Sequence, residues 1–414
     1  MKITLYGAAK EVGRSCVVLN DKYMLDAGLE INEEIKYPTI KDAADIDAVL
    51  LCHGHLDHSG ALPLLNSQGM DCPIFATIET KKIANILLKD EFKLQKMLGK
   101  HQPYNKFNIT NVMANLKYMD YGMQRQIGDI NFSFIPSGHI PGSASALVDI
   151  EGKKLLYTSD INTQDTLLMA GAKNMPRADI LICEATYGDR DHPPRDETEN
   201  NFIKAVKNAL DKGGSVIIPV FAVGRAQEII MLLYQKLDYR VPIYLDGMAD
   251  EVTRTILEEP RFIRDPATLR KAYQKVKLVK NQRRENIVKQ QSVVVTTSGM
   301  MDGGPVIDYL KHTYFDKNNS ILLTGYQPER CNGRLLMETG TIKLDEQVVK
   351  VKAHYEQFDF SAHAGRKELV ALIKKVDPEI LILNHGEENA LNSLASEFKN
   401  KKVYIPAIDE PVLI

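Results

Sequence analysis

Three histidines and an aspartate lie within six consecutive positions, in the run HGHLDH: His53, His55, Asp57 and His58. The run follows the apolar stretch DAVLLC, which predicts a buried strand whose C-terminal loop displays four potential metal ligands. Imidazoles packed this densely repel one another as cations, so they indicate a bound metal. One tetrahedral ion with an open position cannot use all four side chains, and we therefore expect two metals about 3.5–4 Å apart.

Further ligands must come from other parts of the chain. A similar context, an apolar strand that runs into a polar residue and a glycine turn, surrounds three more histidines: His139 in PSGHIPGSAS, His363 in FSAHAG and His385 in ILNHGE. Asp160, which ends the predicted strand KKLLYTSD, is the matching carboxylate. This shared context makes the four residues candidates for completing the site.

The amino-acid composition excludes several classes of protein and several kinds of metal site. The 414 residues carry 52 basic and 54 acidic side chains, a net charge of −2, and 44% of them are hydrophobic, as in a globular protein. The five cysteines are scattered and never form a CxxC pair, which argues against a thiolate zinc site and a disulfide framework. The chain opens without the apolar core of a signal peptide and has no apolar run of about 18 residues, so we expect a cytoplasmic protein without a membrane segment.

The predicted secondary structure of the elements that must position these residues changes along the chain. Short strand-like runs dominate the start, helical spacing of apolar residues follows between Thr77 and Lys100, and strand signals then return. After the PPRDET turn, helices alternate with strands, which predicts a parallel sheet. A basic segment from Arg261 to Gln290 holds ten basic and two acidic residues, and a second, weaker lysine-rich stretch runs from Lys81 to Lys106.

Taken in order, these motifs resemble the metallo-β-lactamase-fold hydrolases, and specifically their β-CASP branch, which processes nucleic acids. The resemblance spans essentially the whole chain and adds Asp26 of MLDAG and Glu184 of ICEATYGD to the residues above. It implies an α/β fold, an αββα metallo-β-lactamase sandwich with an inserted α/β β-CASP domain. The implied boundaries are residues 1–188 for the first part of the metallo-β-lactamase domain, 189–358 for the insertion and 359–414 for the completion.

The same resemblance implies two Zn²⁺ per chain and assigns their ligands. One zinc is expected on His53, His55 and His139, and the second on Asp57, His58 and His385, with Asp160 as the bridge. Asp57 is also expected to orient the attacking water. The seven residues already assigned fill the ligand positions, so Asp26 is not expected to bind a metal. Its expected role is to accept the other N–H of a ligand imidazole.

His363 and Glu184 remain outside the metal set. The departing sugar oxygen of a phosphodiester needs a proton, which a histidine held by a carboxylate supplies near neutral pH. We therefore expect His363 to be the general acid and Glu184 to orient it. A buried His–Glu hydrogen bond with only a structural role is the alternative.

The middle of the chain supplies the expected RNA contacts. VIIPVFAVGRAQE, TTSGMMDGGP and GYQPERCNGRLL look like the phosphate-contact elements of the inserted domain. We expect backbone N–H groups and short hydroxyls to bind phosphates at Ser298, Gly299, Gly303, Gly304 and Ser361. Two positions depart from the family pattern: Gly365 stands where an aspartate is frequent, and Cys331 where a threonine is frequent.

The resemblance implies a zinc-dependent ribonuclease that hydrolyses phosphodiester bonds of single-stranded RNA. We expect endonucleolytic cleavage in RNA 3′-end processing, maturation or decay, as in the short archaeal and bacterial relatives of the eukaryotic cleavage-and-polyadenylation endonuclease. The alternatives are a 5′-to-3′ exoribonuclease of RNase J type, a small-molecule metallo-hydrolase, or a non-catalytic RNA-processing scaffold. The apolar end KVYIPAIDEPVLI suggests a homodimer, and other RNA-processing subunits are possible partners.

Overall fold

The computed structural model describes residues 1–31, 34–238, 241–280, 282–345 and 347–414. These residues form two compact units. The first consists of Met1–Asp165, Ala170–Asp191 and Ala362–Ile414, and the second of Thr166–Met169 and His192–Ser361.

The strands of the described residues, in chain order, are β1 (Lys2–Gly7), β2 (Cys16–Leu19), β3 (Tyr23–Leu25), β4 (Glu30–Ile31), β5 (Ile35–Lys36), β6 (Ala48–Leu50), β7 (Ile74–Ala76), β8 (Leu116–Tyr118), β9 (Arg125–Ile127), β10 (Ile130–Pro136), β11 (Ala144–Ile150), β12 (Lys153–Tyr157), β13 (Ile180–Glu184), β14 (Val216–Pro219), β15 (Ile243–Asp246), β16 (Lys277–Leu278), β17 (Val293–Thr296), β18 (Ser320–Leu323), β19 (Thr341–Leu344), β20 (Gln347–Lys350), β21 (His354–Gln357), β22 (Ile380–Asn384), β23 (Lys402–Tyr404) and β24 (Pro411–Leu413).

The α-helices are α1 (Leu56–Ser59), α2 (Leu62–Ser67), α3 (Ile78–Met97), α4 (Lys106–Asn115), α5 (Arg195–Asp211), α6 (Arg225–Lys236), α7 (Ala249–Glu258), α8 (Pro266–Lys275), α9 (Arg284–Lys289), α10 (Pro305–Thr313), α11 (Asn332–Thr339), α12 (Arg366–Val376) and α13 (Glu388–Ala395). Short 3₁₀ turns cover Ala43–Asp45, Pro260–Phe262 and Ser396–Phe398. Among the described residues, we find no helix with the length and apolar character that a bilayer crossing requires.

The first unit is a sandwich of two seven-stranded sheets. One has the order β24-β1-β2-β3-β6-β7-β8 and the other β23-β22-β13-β12-β11-β10-β9. Side chains alternate between the two faces of a strand, so Val17 and Leu19 lie in the core between the sheets while Cys16 and Val18 lie in the outer core beside α2, α3 and α4. A third core buries α12 and α13 on the second sheet. The layers are therefore αββα, which confirms the predicted fold class.

The second unit contains a six-stranded sheet in the order β16-β15-β17-β14-β18-β21. Every pairing in this sheet is parallel, as the alternation of helices and strands predicts. Its core includes Ile217, Val294 and Ile321 from three neighbouring strands.

The C-terminal residues form an edge strand of the first sheet. β24 pairs with β1, and the amide of Ile414 donates to the carbonyl of Met1. Val412 is buried against the core between the sheets, whereas Leu413 is 70% exposed. This edge strand accounts for much of the apolar tail without a partner chain, so the tail gives less support to a homodimer than the sequence suggests.

Candidate metal centre

The site in the first unit is assembled from the ends of strands of both sheets. The HGHLDH run begins three residues after β6, and His139 lies in the connection from β10 to β11. Asp160 lies three residues beyond β12, Glu184 ends β13, and His385 follows β22 directly. Because β13 and β22 are parallel neighbours, with Glu184 opposite Asn384, the residues at their carboxyl ends meet at one edge of the sheet.

Backbone contacts from the MLDAG motif and from Ser15 hold the histidine run in place. The amide of Ala27 donates to the carbonyl of His58 at 2.7 Å, and the amide of Ser15 donates to that of Asp57 at 2.7 Å. A Cβ atom on Gly28 would lie 1.6 Å from the carbonyl oxygen of Asp57. The close approach of the two segments therefore requires glycine at this position.

One ligand group consists of His53, His55, His139 and Asp160, whose ligand atoms lie within 4.8 Å of one another. Oδ2 of Asp160 is 3.4 Å from Nε2 of His53 and 3.4 Å from Nε2 of His139. Nδ1 of His55 is 3.2 Å from Nε2 of His139. Nδ1 of His139 donates to the carbonyl of Ala362 at 2.9 Å, which turns the lone pair of Nε2 toward the group.

A second group consists of Asp57, His58, His385 and the same Asp160. Here the other carboxylate oxygen of Asp160, Oδ1, is 3.2 Å from Nε2 of His58 and 3.5 Å from Nδ1 of His385. Oδ2 of Asp57 is 3.6 Å from Nε2 of His385. Asp160 thus directs one oxygen to each group, the arrangement of a bridging ligand.

The donor set of this site fits metal ions. Nε2 of His53, Nε2 of His58 and Oδ1 of Asp160 are buried, and none of them has a partner with hydrogen-bond geometry among the described residues, although the last two atoms are only 3.2 Å apart. A buried polar atom without a partner costs about 1–3 kcal/mol, so three of them in one cluster indicate an external ligand. Burial lowers the pKa of His53 and His139 well below the ordinary value, which keeps both imidazoles in the neutral form that binds metals.

Asp26 fixes the orientation of His58. Its Oδ2 accepts from Nδ1 of His58 at 2.7 Å, and its Oδ1 accepts from the amide of Cys52 at 2.7 Å. The same Oδ2 also accepts from the hydroxyls of Tyr157 and Ser159, both at 3.0 Å. We did not predict Tyr157 or Ser159 from the sequence, although their position just before Asp160 places them beside a predicted ligand.

We expect Asp26→Asn to weaken zinc binding about 10-fold to 100-fold, because the amide supports the imidazole of His58 less well than the carboxylate does. Competition between the protein and a zinc chelator measures the affinity. Asp21→Asn removes an exposed carboxylate of the same unit and serves as the control. An unchanged zinc affinity in Asp26→Asn, with the fold retained by circular dichroism, would show that Asp26 has no part in positioning ligands.

His363 and Glu184 form a pair at the edge of the metal ligands. Nδ1 of His363 donates to Glu184, with distances of 2.9 and 3.1 Å to the two carboxylate oxygens. Glu184 is itself fixed by the amides of Ile161 and Thr186. Nε2 of His363 is 4.0 Å from Oδ2 of Asp160, and 19% of the His363 side chain is exposed. This nitrogen therefore borders the metal ligands.

Neighbouring carboxylates favour the charged form of His363. Burial lowers its pKa, but Glu184 and then Asp160 outweigh that effect and raise the pKa of His363 to about 9. In the metal-free protein the imidazole consequently carries protons on both nitrogens at neutral pH. With Nδ1 bound to Glu184, the transferable proton is the one on Nε2.

The predicted RNA contacts Ser298, Gly299, Gly303 and Gly304 belong to the second unit, in the loop between β17 and α10. Both the amide and the hydroxyl of Ser298 donate to the carbonyl of Gly303, which closes the loop on itself. Gly304 has a φ of +74°, a conformation that favours glycine. Ser361, also in the second unit, donates its amide to Asp359 at 3.1 Å. The loop brings the first four residues together, but their contact with RNA stays a prediction.

Other sequence features also have local structural roles. Cys331 precedes α11, and its Sγ accepts from the amide of Arg334 at 3.3 Å, which is the capping role of a threonine. Gly365 precedes α12 and donates its amide to Glu368. Arg284 of the basic segment is tied to Asp246 at 2.7 Å and to Asp308 at 2.8 Å, so it stabilises the second unit. The segment spans Asn281, which lies outside the described residues.

Three family models match the chain. A metallo-beta-lactamase superfamily domain matches residues 18–180, a Beta-Casp domain residues 226–336, and a Zn-dependent metallo-hydrolase RNA specificity domain residues 348–407. The matches run from the first strands of the sandwich through the parallel sheet to the segment that carries His363 and His385.

Relatives and a solved structure match over most of their length. "Probable RNase MJ4" of Methanocaldococcus jannaschii is 42% identical, with 94% of this chain and 94% of the relative covered. "RNase aCSPSF2" of Saccharolobus solfataricus is 34% identical, with 96% and 82% covered. A crystal structure of a protein of unknown function from Enterococcus faecalis V583 superposes with a TM-score of 0.61 at 13% identity, covering 100% of this chain and 99% of that one, which supports the fold alone.

Proposed function

Because the chain belongs to the β-CASP branch of the metallo-β-lactamase-fold ribonucleases, we propose that this metal-dependent hydrolase uses two zinc ions to cleave single-stranded RNA. The observation that carries the proposal is the Asp160 carboxylate, with one oxygen directed at each of two ligand groups. The RNA specificity domain matched at residues 348–407 and the ribonuclease names of the relatives support RNA as the substrate.

His53, His55 and His139 would hold one zinc, and Asp57, His58 and His385 the other, with Asp160 between them. Bound there, the two cations would supply a water of lowered pKa and neutralise charge on the phosphate. The side chain of Asp57 is 33% exposed, unlike that of His58, so it can reach a water at the site. We assign Asp57 the role of orienting that water for attack on phosphorus.

His363 would supply the proton that the departing 3′ oxygen needs. In its charged form it would present a proton at Nε2, next to the metal ligands, while Glu184 accepts the N–H of Nδ1 and so fixes the direction of the ring. Attack by water at phosphorus with loss of the 3′ oxygen leaves a 5′-phosphate on one product and a 3′-hydroxyl on the other. Glu184 acts through His363 and is therefore a positioning residue.

Labelled RNA tests both the activity and its mode. We expect an unstructured RNA labelled at its 5′ end to give labelled fragments of many lengths that end in a 3′-hydroxyl, and the same RNA labelled at its 3′ end to give fragments that begin with a 5′-phosphate. Release of labelled mononucleotides alone would show that the enzyme is a 5′-to-3′ exonuclease and not an endonuclease. Absence of RNA cleavage, together with turnover of a small ester, would contradict the proposed function.

We place the protein in the cytoplasm, where RNA is available and where its five cysteines, all buried thiols, stay reduced. RNA 3′-end processing, maturation or decay is the proposed setting, with other processing subunits as partners. We also propose that the protein is a homodimer, which a monomeric mass by light scattering would contradict.

A further inference from the structure

We propose that the turn between α3 and α4 carries a second RNA-binding surface, separate from the metal centre, that holds single-stranded substrate during cleavage. We define the α3–α4 surface as the exposed side chains of residues 93–107 in the first unit. The inference rests on the proposed ribonuclease function and concerns where a long substrate is held.

The charge of this surface has one sign. Its four lysines, Lys93, Lys96, Lys100 and Lys106, are all exposed, and the sequence contains no Asp or Glu between positions 92 and 119. Of the two acids just before this segment, Asp90 is exposed, whereas Glu91 points inward, since it is buried and accepts from the hydroxyl of Tyr104 at 2.7 Å. The surface is therefore a local concentration of positive charge on a chain whose net charge is −2.

Large apolar side chains lie exposed among these lysines. Met97 is 74% exposed, Phe107 is 68% exposed, Leu98 is 59% exposed and Leu94 is 46% exposed. Several such residues within one short segment are unusual on a surface that contacts only water, and they mark an interaction site. Phe107 offers an aromatic face on which a base can stack.

The turn is well anchored, so the exposure is not the result of a loosely packed segment. The side-chain amide of Gln102 donates to the carbonyl of Phe92 at 2.8 Å, and the rings of Phe92 and Tyr104 are in contact, with centroids 5.8 Å apart. Asn105 caps α4 by accepting from the amide of Phe107 at 2.8 Å. The fold buries Phe92 and Tyr104 while it presents Phe107 to solvent.

The combination of lysines and an exposed aromatic ring favours RNA as the occupant. Lysines neutralise backbone phosphates, and aromatic rings stack with bases of any sequence, the two contacts that proteins use for single strands. A second copy of this chain that docked through the same surface would oppose four lysines with four lysines, which disfavours self-association.

The surface lies at a distance from the metal centre. A Cβ atom on Gly54, between His53 and His55, would lie 2.7 Å from Ile83, so the histidine run packs on the first half of α3. The helix continues from Ile83 for 14 residues to Met97, which at about 1.5 Å per residue is about 21 Å. A dinucleotide at the metal centre is too short to reach the surface, whereas a long strand can occupy both.

A charge-removal experiment with two substrates tests this inference. The surface variant carries Lys93→Gln, Lys96→Gln and Lys100→Gln, and the control carries Lys154→Gln, Lys374→Gln and Lys399→Gln, which removes the same charge from exposed lysines of the same unit. On long unstructured RNA we expect the KM of the surface variant to rise about ten-fold, and the slope of log KM against log salt to fall by about 2. On a dinucleotide, KM and kcat should match those of the wild type. Phe107→Ala should raise the KM for long RNA about five-fold or more.

The outcomes separate this inference from the proposed function. If no protein of the set cleaves either substrate, the proposed function fails, and fluorescence anisotropy with the same long RNA still tests the surface. Equal increases in the KM for long RNA in the surface variant and in the control would overturn the inference. A surface variant that loses binding to anionic vesicles or to an acidic peptide but keeps wild-type RNA binding would overturn it as well.

Discussion

Asp160→Asn is expected to reduce RNA cleavage by about 10³-fold or more and to lower the zinc content from about two to one or less per chain. Asp160 is the residue shared by both ligand groups, with one oxygen 3.4 Å from Nε2 of His53 and the other 3.2 Å from Nε2 of His58. An amide cannot offer two anionic oxygens, and loss of a metal removes several kcal/mol of transition-state stabilisation, at about 1.4 kcal/mol per ten-fold in rate.

The measurements are initial rates on labelled RNA and metal analysis of the purified protein. Asp149→Asn is the matched control, because Asp149 lies exposed on β11, which neighbours the strand that precedes Asp160. Circular dichroism establishes that both variants are folded. An Asp160→Asn protein that keeps two zinc ions and cleaves RNA at the wild-type rate would exclude the bridging role.

His363→Ala is expected to lower kcat on RNA by about 10²-fold to 10⁴-fold while the zinc content stays unchanged. The imidazole lies outside the two proposed zinc groups, although with Asp160 and Glu184 it forms a third group whose ligand atoms lie within 4.8 Å of one another, and Glu184 holds its Nδ1 at 2.9 Å. If His363 donates a proton to the leaving oxygen, the decrease in kcat on removing His363 depends on how much the leaving group needs that proton.

A substrate with a good leaving group separates acid catalysis from structural support. Bis(p-nitrophenyl) phosphate releases a stable phenolate, so His363→Ala should slow its hydrolysis far less than that of RNA. His354→Ala, which removes an exposed histidine in β21, is the control and should leave both rates unchanged. An equal loss on both substrates would support a structural His–Glu pair and refute the general acid.

The candidate ligands could be picked out from the sequence because apolar runs lead up to the segments that carry them; that they bind metal stays a prediction. The burial of β6 and β22 is visible as runs of apolar residues, and the polar residue that follows each run lies at the same edge of the sandwich. The αββα layers could be predicted only through the family resemblance, because a strand such as β2 is apolar on both faces and its sequence does not show that it divides two cores. The insertion boundaries at residues 189 and 358 stay a prediction.

Beyond the contact of Asp26 with a ligand imidazole, the side chains that support the candidate ligands could not be predicted. Asp26 accepts from Tyr157, 131 positions away, and Tyr157 contacts Ser15 at 2.9 Å, 142 positions away. Such pairs depend on the register of several strands and on how two sheets pack, which no local pattern encodes. For the same reason, the sequence could not show that Arg284 is paired with Asp246 while Lys93 and Lys96 are exposed.

The central claim is that RNA cleavage depends on a two-zinc centre bridged by Asp160. Its most direct test is a titration of the metal-free protein with zinc, with the rate of RNA cleavage as the readout. We predict that the rate rises until about two equivalents of zinc per chain are bound and then stays constant. A metal-free protein that cleaves RNA at the full rate, or a rate that reaches its maximum at one equivalent, would contradict the claim.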